Sequence, residues 1–216
     1  MKRAILMSIQ PQWIEKILNR EKVIEIRKTM PKCELPIVVY LYCTKAKLFL
    51  YGYYGESDDA EGFGYATSYC PTEDINVLDR TENLNGKVVA KFTLNETEKH
   101  FNAKYFGFNP KFLNDCQLAN KDIDNYVGID KTFYAWHIDN LQIFDKPMEL
   151  SDFHKPCICP KMQYCPSCPK GYVYMSEDEE EYYRATNGQE GCETEWVCLN
   201  VVEKAPQSWR YVEVKE

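Results

Sequence analysis

The sequence predicts an α+β chain, rich in strands and flanked by short helices, and three observations carry that expectation. Apolar, β-branched and aromatic runs recur over Ala4 to Ile9, Ile37 to Cys43, Lys87 to Leu94 and Thr132 to Phe144, which is strand composition. Helical periodicity is confined to brief stretches behind Pro11 and Pro110. With 44% apolar and 14% aromatic residues over 216 positions, the chain can fill one large core, which excludes a disordered or fibrous class.

Taken in order, the first strand ends at Gln10, and Pro11 then sits where a helix begins and its missing N–H costs nothing. A helix over 11–19 puts Trp13, Ile14, Ile17 and Leu18 on one stripe and leaves Gln12, Glu15, Lys16 and Asn19 to solvent. The period changes to two over Lys22 to Lys28, so Ile24 and Ile26 share one face while Val23, Glu25 and Arg27 share the other. A carboxylate and a guanidinium are thereby aimed the same way, with Lys22 within reach. Spacing alone leaves two readings open: a site, or the solvated face of an edge strand.

Ile37 to Cys43 reads as a buried strand, and Leu48 to Tyr54 as a partner for it. The polar, glycine-containing stretch from Gly55 to Asp74 reads as an extended loop whose tyrosines either anchor it or line a site. Asn85-Gly86 is a turn signal opening the strand Lys87 to Leu94, with Val88, Ala90, Phe92 and Leu94 on one face. Asn109-Pro110 starts a short helix through about Leu118, and a weaker turn follows over Asp122 to Val127. Thr132 to Phe144 reads as two strands broken near Asp139-Asn140, with Trp136 and His137 facing opposite ways and one of them in the core.

The order Ser8-Ile-Gln-Pro11, an amphipathic helix, then Lys22-Val-Ile-Glu25-Ile-Arg27 resembles the ASCH family of PUA-like domains. Later pieces agree: Ile37 to Cys43, Gly86 to Phe92, Ala135-Trp-His-Ile138 with Asp145-Lys-Pro147, and Ala205 to Val212. In this order they are similar to the longer ASCH proteins of phages and prophages. The resemblance implies a PUA-like mixed β-barrel over residues 1–153 and 195–216, with a Cys-rich, acidic insertion over 154–194. The family's glycine before the lysine falls at Arg20, so a positive φ at that turn is expected to pass to Asn19.

Formal charge is −7, yet residues 1–50 hold ten Lys and Arg against four acidic residues, and the remaining 166 hold sixteen against twenty-nine. The basic quarter contains the motif, a distribution that suits an anion-facing surface on an acidic body unless folding averages the field away. The opening Met1-Lys-Arg is followed by only a short apolar run without a small-residue cleavage pattern, and no window approaches a membrane span. A cytoplasmic location, the host's for a phage protein, is the expectation, with no membrane partner.

Ten cysteines in such a chain suggest reduced thiols or metal ligands. Cys157, Cys159, Cys165 and Cys168 form a C-x-C-x5-C-x2-C array suited to a closed structural zinc site, with His154, Cys192 or Cys198 as substitutes because the first pair is tightly spaced. Ordinary reduced cysteines are the alternative. The acidic run Glu177 to Glu181 reads as a solvated face.

Three functions follow. The resemblance implies RNA or nucleotide binding, in which Arg20, Lys22 and Arg27 contact phosphate, Glu25 accepts from a base amine, and Trp13, Tyr42 or Trp136 stacks a base. It also admits a hydrolase of RNA or a modified nucleoside, since some relatives hydrolyse N4-acetylcytidine with a Lys and a Thr on this strand. Here Lys22 matches the lysine but Glu25 stands in the threonine's place, so the catalytic pair would be Lys22 and Glu25, and Ser8 is expected at the binding site as a capping or hydrogen-bonding residue more than as a nucleophile. A third reading is a protein-interaction scaffold docked through the cysteine insertion.

Overall fold

The computed structural model describes residues 2–54, 63–69, 83–104, 107–156, 173–174, 197–198 and 201–214. Cys157, Cys159, Cys165, Cys168 and Cys192 lie outside these residues, as does most of the expected insertion. Only the backbone of Cys198 is described, in a two-residue strand.

The elements that position the site run in the order β1 (Lys2–Ile9), α1 (Pro11–Leu18), β2 (Ile24–Arg27), β3 (Ile37–Cys43), β4 (Phe49–Tyr54) and β5 (Phe63–Ser68). They continue with β6 (Val88–Leu94), β7 (Thr97–Asn102), α2 (Pro110–Cys116), α3 (Asn120–Val127), β8 (Lys131–His137) and β9 (Asp139–Met148). The short β10 (Phe153–His154), β11 (Val173–Tyr174) and β12 (Val197–Cys198) precede β13 (Trp209–Val214). A six-stranded sheet has the order β10-β13-β1-β3-β6-β9, a three-stranded sheet the order β2-β8-β7, and β4-β5 and β11-β12 are separate pairs. The class is therefore α+β with short helices, as expected, but among the described residues the sheets do not close into a barrel. β10 and β9 stand at the two ends of the large sheet.

β1 is the spine of that sheet, parallel to β3 and antiparallel to β13. Its uninterrupted apolar run has a direct cause: both faces are covered. Ile5, Met7 and Ile9 enter one core with Ile14, Ile17, Val39, Leu41 and Trp136, while Ala4 and Leu6 enter a second with Tyr42, Phe153 and Val212. A third core, beneath α2 and α3, joins Ile24, Ile26, Phe112, Ile123 and Phe133.

Helix α1 buries Pro11, Ile14, Ile17 and Leu18, and Pro11 takes the first helical turn. Two side chains expected in solvent instead hold β5: Asn19 Nδ2 donates to the Tyr65 carbonyl at 2.8 Å and Asn19 Oδ1 accepts from the Tyr65 N–H at 3.0 Å. Thr67 Oγ1 donates to Glu15 at 2.6 Å. The turn after α1 also corrects an expectation. Arg20 itself adopts φ 61° and Asn19 stays at φ −78°, because the Asn19 amide is committed to β5.

The Gly86 turn forms with φ 86°, where a Cβ would come within 2.9 Å of Lys45 Cε. Asn109 caps α2, accepting from Phe112 N–H at 2.8 Å. Strand β4 pairs with β5 and not with β3, so the stretch expected as a loop contains a strand. β7, which the sequence reading did not predict, pairs with β8, and the segment expected as a weak turn is the helix α3.

Candidate functional site

The charged motif does not form a solvated face. Lys22, Glu25 and Arg27 are 2%, 8% and 6% exposed, although β2 is the edge of its sheet. The turn leading into the strand is closed by the Glu21 and Lys22 N–H groups, which both donate to the Lys16 carbonyl, and it brings Lys22 beside the Trp13 ring of α1. On the far side the Val23 N–H donates to the Asp115 carbonyl at the end of α2.

The three side chains form one ionic array. Glu25 bridges two cations, Lys22 Nζ at 3.3 Å through one oxygen and Arg27 Nη2 at 3.1 Å through the other. Lys22 Nζ also donates to the Cys116 carbonyl and lies 5.6 Å from the Trp13 ring centroid. Arg27 Nη2 donates to the Ser8 carbonyl at 2.8 Å and Nη1 to Ser208 Oγ at 3.2 Å, tying the small sheet to β1 and to the segment before β13. Burial at this depth requires pairing and hydrogen bonds, and the array supplies both. Its charge does not balance: two cations face one carboxylate.

Above the array opens a cavity of about 530 Å³, within the size range of small-ligand sites. Lys22, Glu25 and Arg27 line it with Ser8, Trp13 and Tyr126. Gln10, Gln12, Asn125 and Gln207 add neutral polar groups, and Asp122 a carboxylate. Among the described residues two buried polar atoms of this lining have no hydrogen-bond partner, Ser8 Oγ and Arg27 Nε. Tyr126 is 41% exposed, yet desolvation of its hydroxyl end raises its pKa while the neighbouring Arg27 guanidinium pulls it down.

The residues expected at a site thus divide. Ser8, Trp13, Lys22, Glu25 and Arg27 meet at the cavity. Arg20 is exposed on the turn and is not among its lining residues. Tyr42 and Trp136, expected to stack a base, are 5% and 0% exposed inside the cores. Tyr42 lies opposite to the Val39 and Leu41 face of β3 and packs with Val88 and Phe153. Trp136 packs on Trp209 at 5.5 Å and donates to the Thr29 carbonyl at 3.3 Å. Neither ring is presented to a ligand.

Tyr126 and Asn125 are not among the residues the sequence singles out, because the stretch that forms α3 reads as a weak turn. The exposed aromatic in Ile123-x-x-Tyr126-Val127 was the signal available. Elsewhere, His137, on the other face of β8 from Trp136, bonds Glu98 at 2.9 Å. His154 lies buried on β10 opposite Glu213.

Fold and site together define an α+β protein with a partly open cavity whose floor is a buried, net-positive array. No family model and no curated protein sequence matches the chain. In structure it is similar to ASCH proteins of Zymomonas mobilis. A crystal structure of a serine-to-alanine mutant aligns at 11% identity and TM-score 0.47, over 97% of this chain and 88% of that one. The ASCH crystal structure aligns at 12% and 0.41, over 91% and 88%. A tyrosine-to-phenylalanine mutant aligns at 12% and 0.42, over 92% and 93%. No helix of the described residues is long and apolar enough to cross a membrane.

Proposed function

We propose that the chain is a nucleotide- or RNA-binding protein that takes its ligand in the cavity above Lys22, Glu25 and Arg27. One observation carries the reading: a buried array with more positive than negative charge, opening into a cavity beside two partly exposed aromatic rings. Arginine and lysine supply phosphate contacts, and Trp13 and Tyr126 supply π-faces for a base. Gln10, Gln12, Asn125 and Gln207 carry amides that both donate and accept, the chemistry that reads a base edge. Glu25 holds the two cations in place, one on each oxygen, and Arg20 has no part in this reading.

Binding is favoured over hydrolysis by the engagement of the motif's own groups. Lys22 Nζ is committed to Glu25 and the Cys116 carbonyl, and Glu25 to two cations, so neither stands free to activate a water or hydroxyl.

The test is a binding screen of nucleotides, single-stranded RNA and tRNA against wild type, Lys22→Ala and Arg27→Ala, with circular dichroism to confirm folding. Loss of binding in both folded variants is expected. Binding undiminished in both contradicts the assignment, and turnover of RNA or N4-acetylcytidine abolished by Glu25→Gln moves the chain to the hydrolases. The cysteine array of 157–168 is proposed to hold a structural zinc ion. Native mass spectrometry should show one zinc per chain, and a metal-free mass with ten titratable thiols contradicts it.

A further inference from the structure

We infer that the cavity recognises a terminal phosphate, carried by a free mononucleotide or by the end of an RNA strand, and that the Ser8 hydroxyl and the Arg27 Nε–H receive it. The inference rests on the nucleotide reading above and narrows it to a class of ligand.

The floor has unfilled hydrogen-bonding capacity. Ser8 and Arg27 are each 6% exposed and touch one another, since Arg27 Nη2 donates to the Ser8 carbonyl at 2.8 Å. Their two remaining donors, Ser8 Oγ and Arg27 Nε, have no partner among the described residues. A buried donor left unpaired is costly, and here the two belong to neighbouring residues that line the same cavity. Oxygens of one ligand group can satisfy both.

The floor also carries unbalanced charge. Lys22 and Arg27 against Glu25 leave the array with one positive charge in excess, at a depth where water does little to screen it. An anionic oxygen on the floor neutralises that excess, and hydrogen bonds between charged partners are about twice as strong as neutral ones.

Access to the floor separates an end group from the interior of a strand. Lys22 and Arg27 are reached only by a group that enters the cavity. An internal phosphodiester carries a nucleoside on either side, and both would have to enter with it. A phosphate at the end of a chain carries one. Asp122 on the exposed face of α3 lines the same cavity, so a further phosphate of a long strand meets repulsion beside it.

The experiment titrates the full chain, by calorimetry, with a nucleoside monophosphate and its nucleoside. Short RNAs that are 5′-phosphorylated, 3′-phosphorylated or hydroxyl-ended follow by fluorescence anisotropy. The monophosphate is expected to bind at least about tenfold tighter than the nucleoside, and at least one phosphorylated end tighter than the hydroxyl end by a similar factor. Ser8→Ala, which removes a hydroxyl that has no partner and so leaves the fold intact, should cost the phosphorylated ligands about tenfold and leave the nucleoside unchanged. Equal affinity for phosphorylated and hydroxyl ends, or a Ser8→Ala variant with unaltered phosphate binding, overturns the inference while the nucleotide reading stands. No binding by any nucleotide or RNA overturns both.

Discussion

Replacing Glu25 by Gln keeps the size of the side chain and deletes the one negative charge between two buried cations. With contacts of 3.3 Å to Lys22 and 3.1 Å to Arg27, the attraction is roughly 5 kcal/mol on each side at an effective dielectric of about 20, before desolvation takes part of it back. The variant keeps both cations buried and lets them repel. Removing one member of a buried ion pair costs about 3–5 kcal/mol, and a chain of this length loses about 2–4 °C of Tm per kcal/mol. The expected fall in Tm is therefore roughly 6–20 °C by calorimetry, with a matching fall in the urea midpoint. Inorganic phosphate should raise the Tm of the variant more than that of the wild type, because its floor carries greater positive charge and an anion bound only by the folded state stabilises it. Lys22→Met in the Glu25→Gln background should cost less than the two single losses together. A loss below about 1 kcal/mol, the value of an exposed pair, refutes the reasoning.

Arg20→Gly should raise stability by up to about 1 kcal/mol, since the left-handed conformation at φ 61° costs an ordinary residue about 1–2 kcal/mol and glycine returns roughly half of that as backbone entropy. Ligand affinity should stay unchanged, and a loss of binding would restore Arg20 to the site. Burial pushes the thiols of Cys43 and Cys116 from their ordinary value of 9.0 up to about 12. In the unfolded chain they ionise first, so their contribution to stability is present below about pH 9 and is lost as the pH climbs towards 12. Urea titrations across that range read the decline, and in native protein at pH 8 both thiols should resist alkylation that modifies them in urea.

How much of this was legible in the sequence depends on how local each signal is. The strand and helix of residues 4–18 follow from periodicity and Pro11, and Asn109-Pro110 wrote the start of α2 as a cap and first helical residue. β7 was hidden because Glu98, Lys99 and His100 interrupt its alternation, and the pairing that makes it a strand comes from β8, some thirty residues on. The same limit applies to the site. Spacing put Glu25 and Arg27 on one face of a strand, but whether that face is wet depends on Trp13, Ser8, Ser208 and the end of α2 meeting it, which no local pattern records. Tyr42 shows the reverse error. An aromatic on a predicted strand was available for stacking only until the second core, built from β1, β6, β10 and β13, claimed it. That the sheets of the described residues do not close into a barrel is likewise a matter of long-range pairing, with β9 and β10 at the ends of the large sheet.

The most direct test of the account is a crystal structure of the full chain grown with a nucleoside 5′-monophosphate. The account predicts the base between Trp13 and Tyr126 and a phosphate oxygen within hydrogen-bond distance of both Ser8 Oγ and Arg27 Nε, with Glu25 still bridging Lys22 and Arg27. A nucleotide bound elsewhere on the surface, with the cavity above Lys22 holding only water, would contradict it.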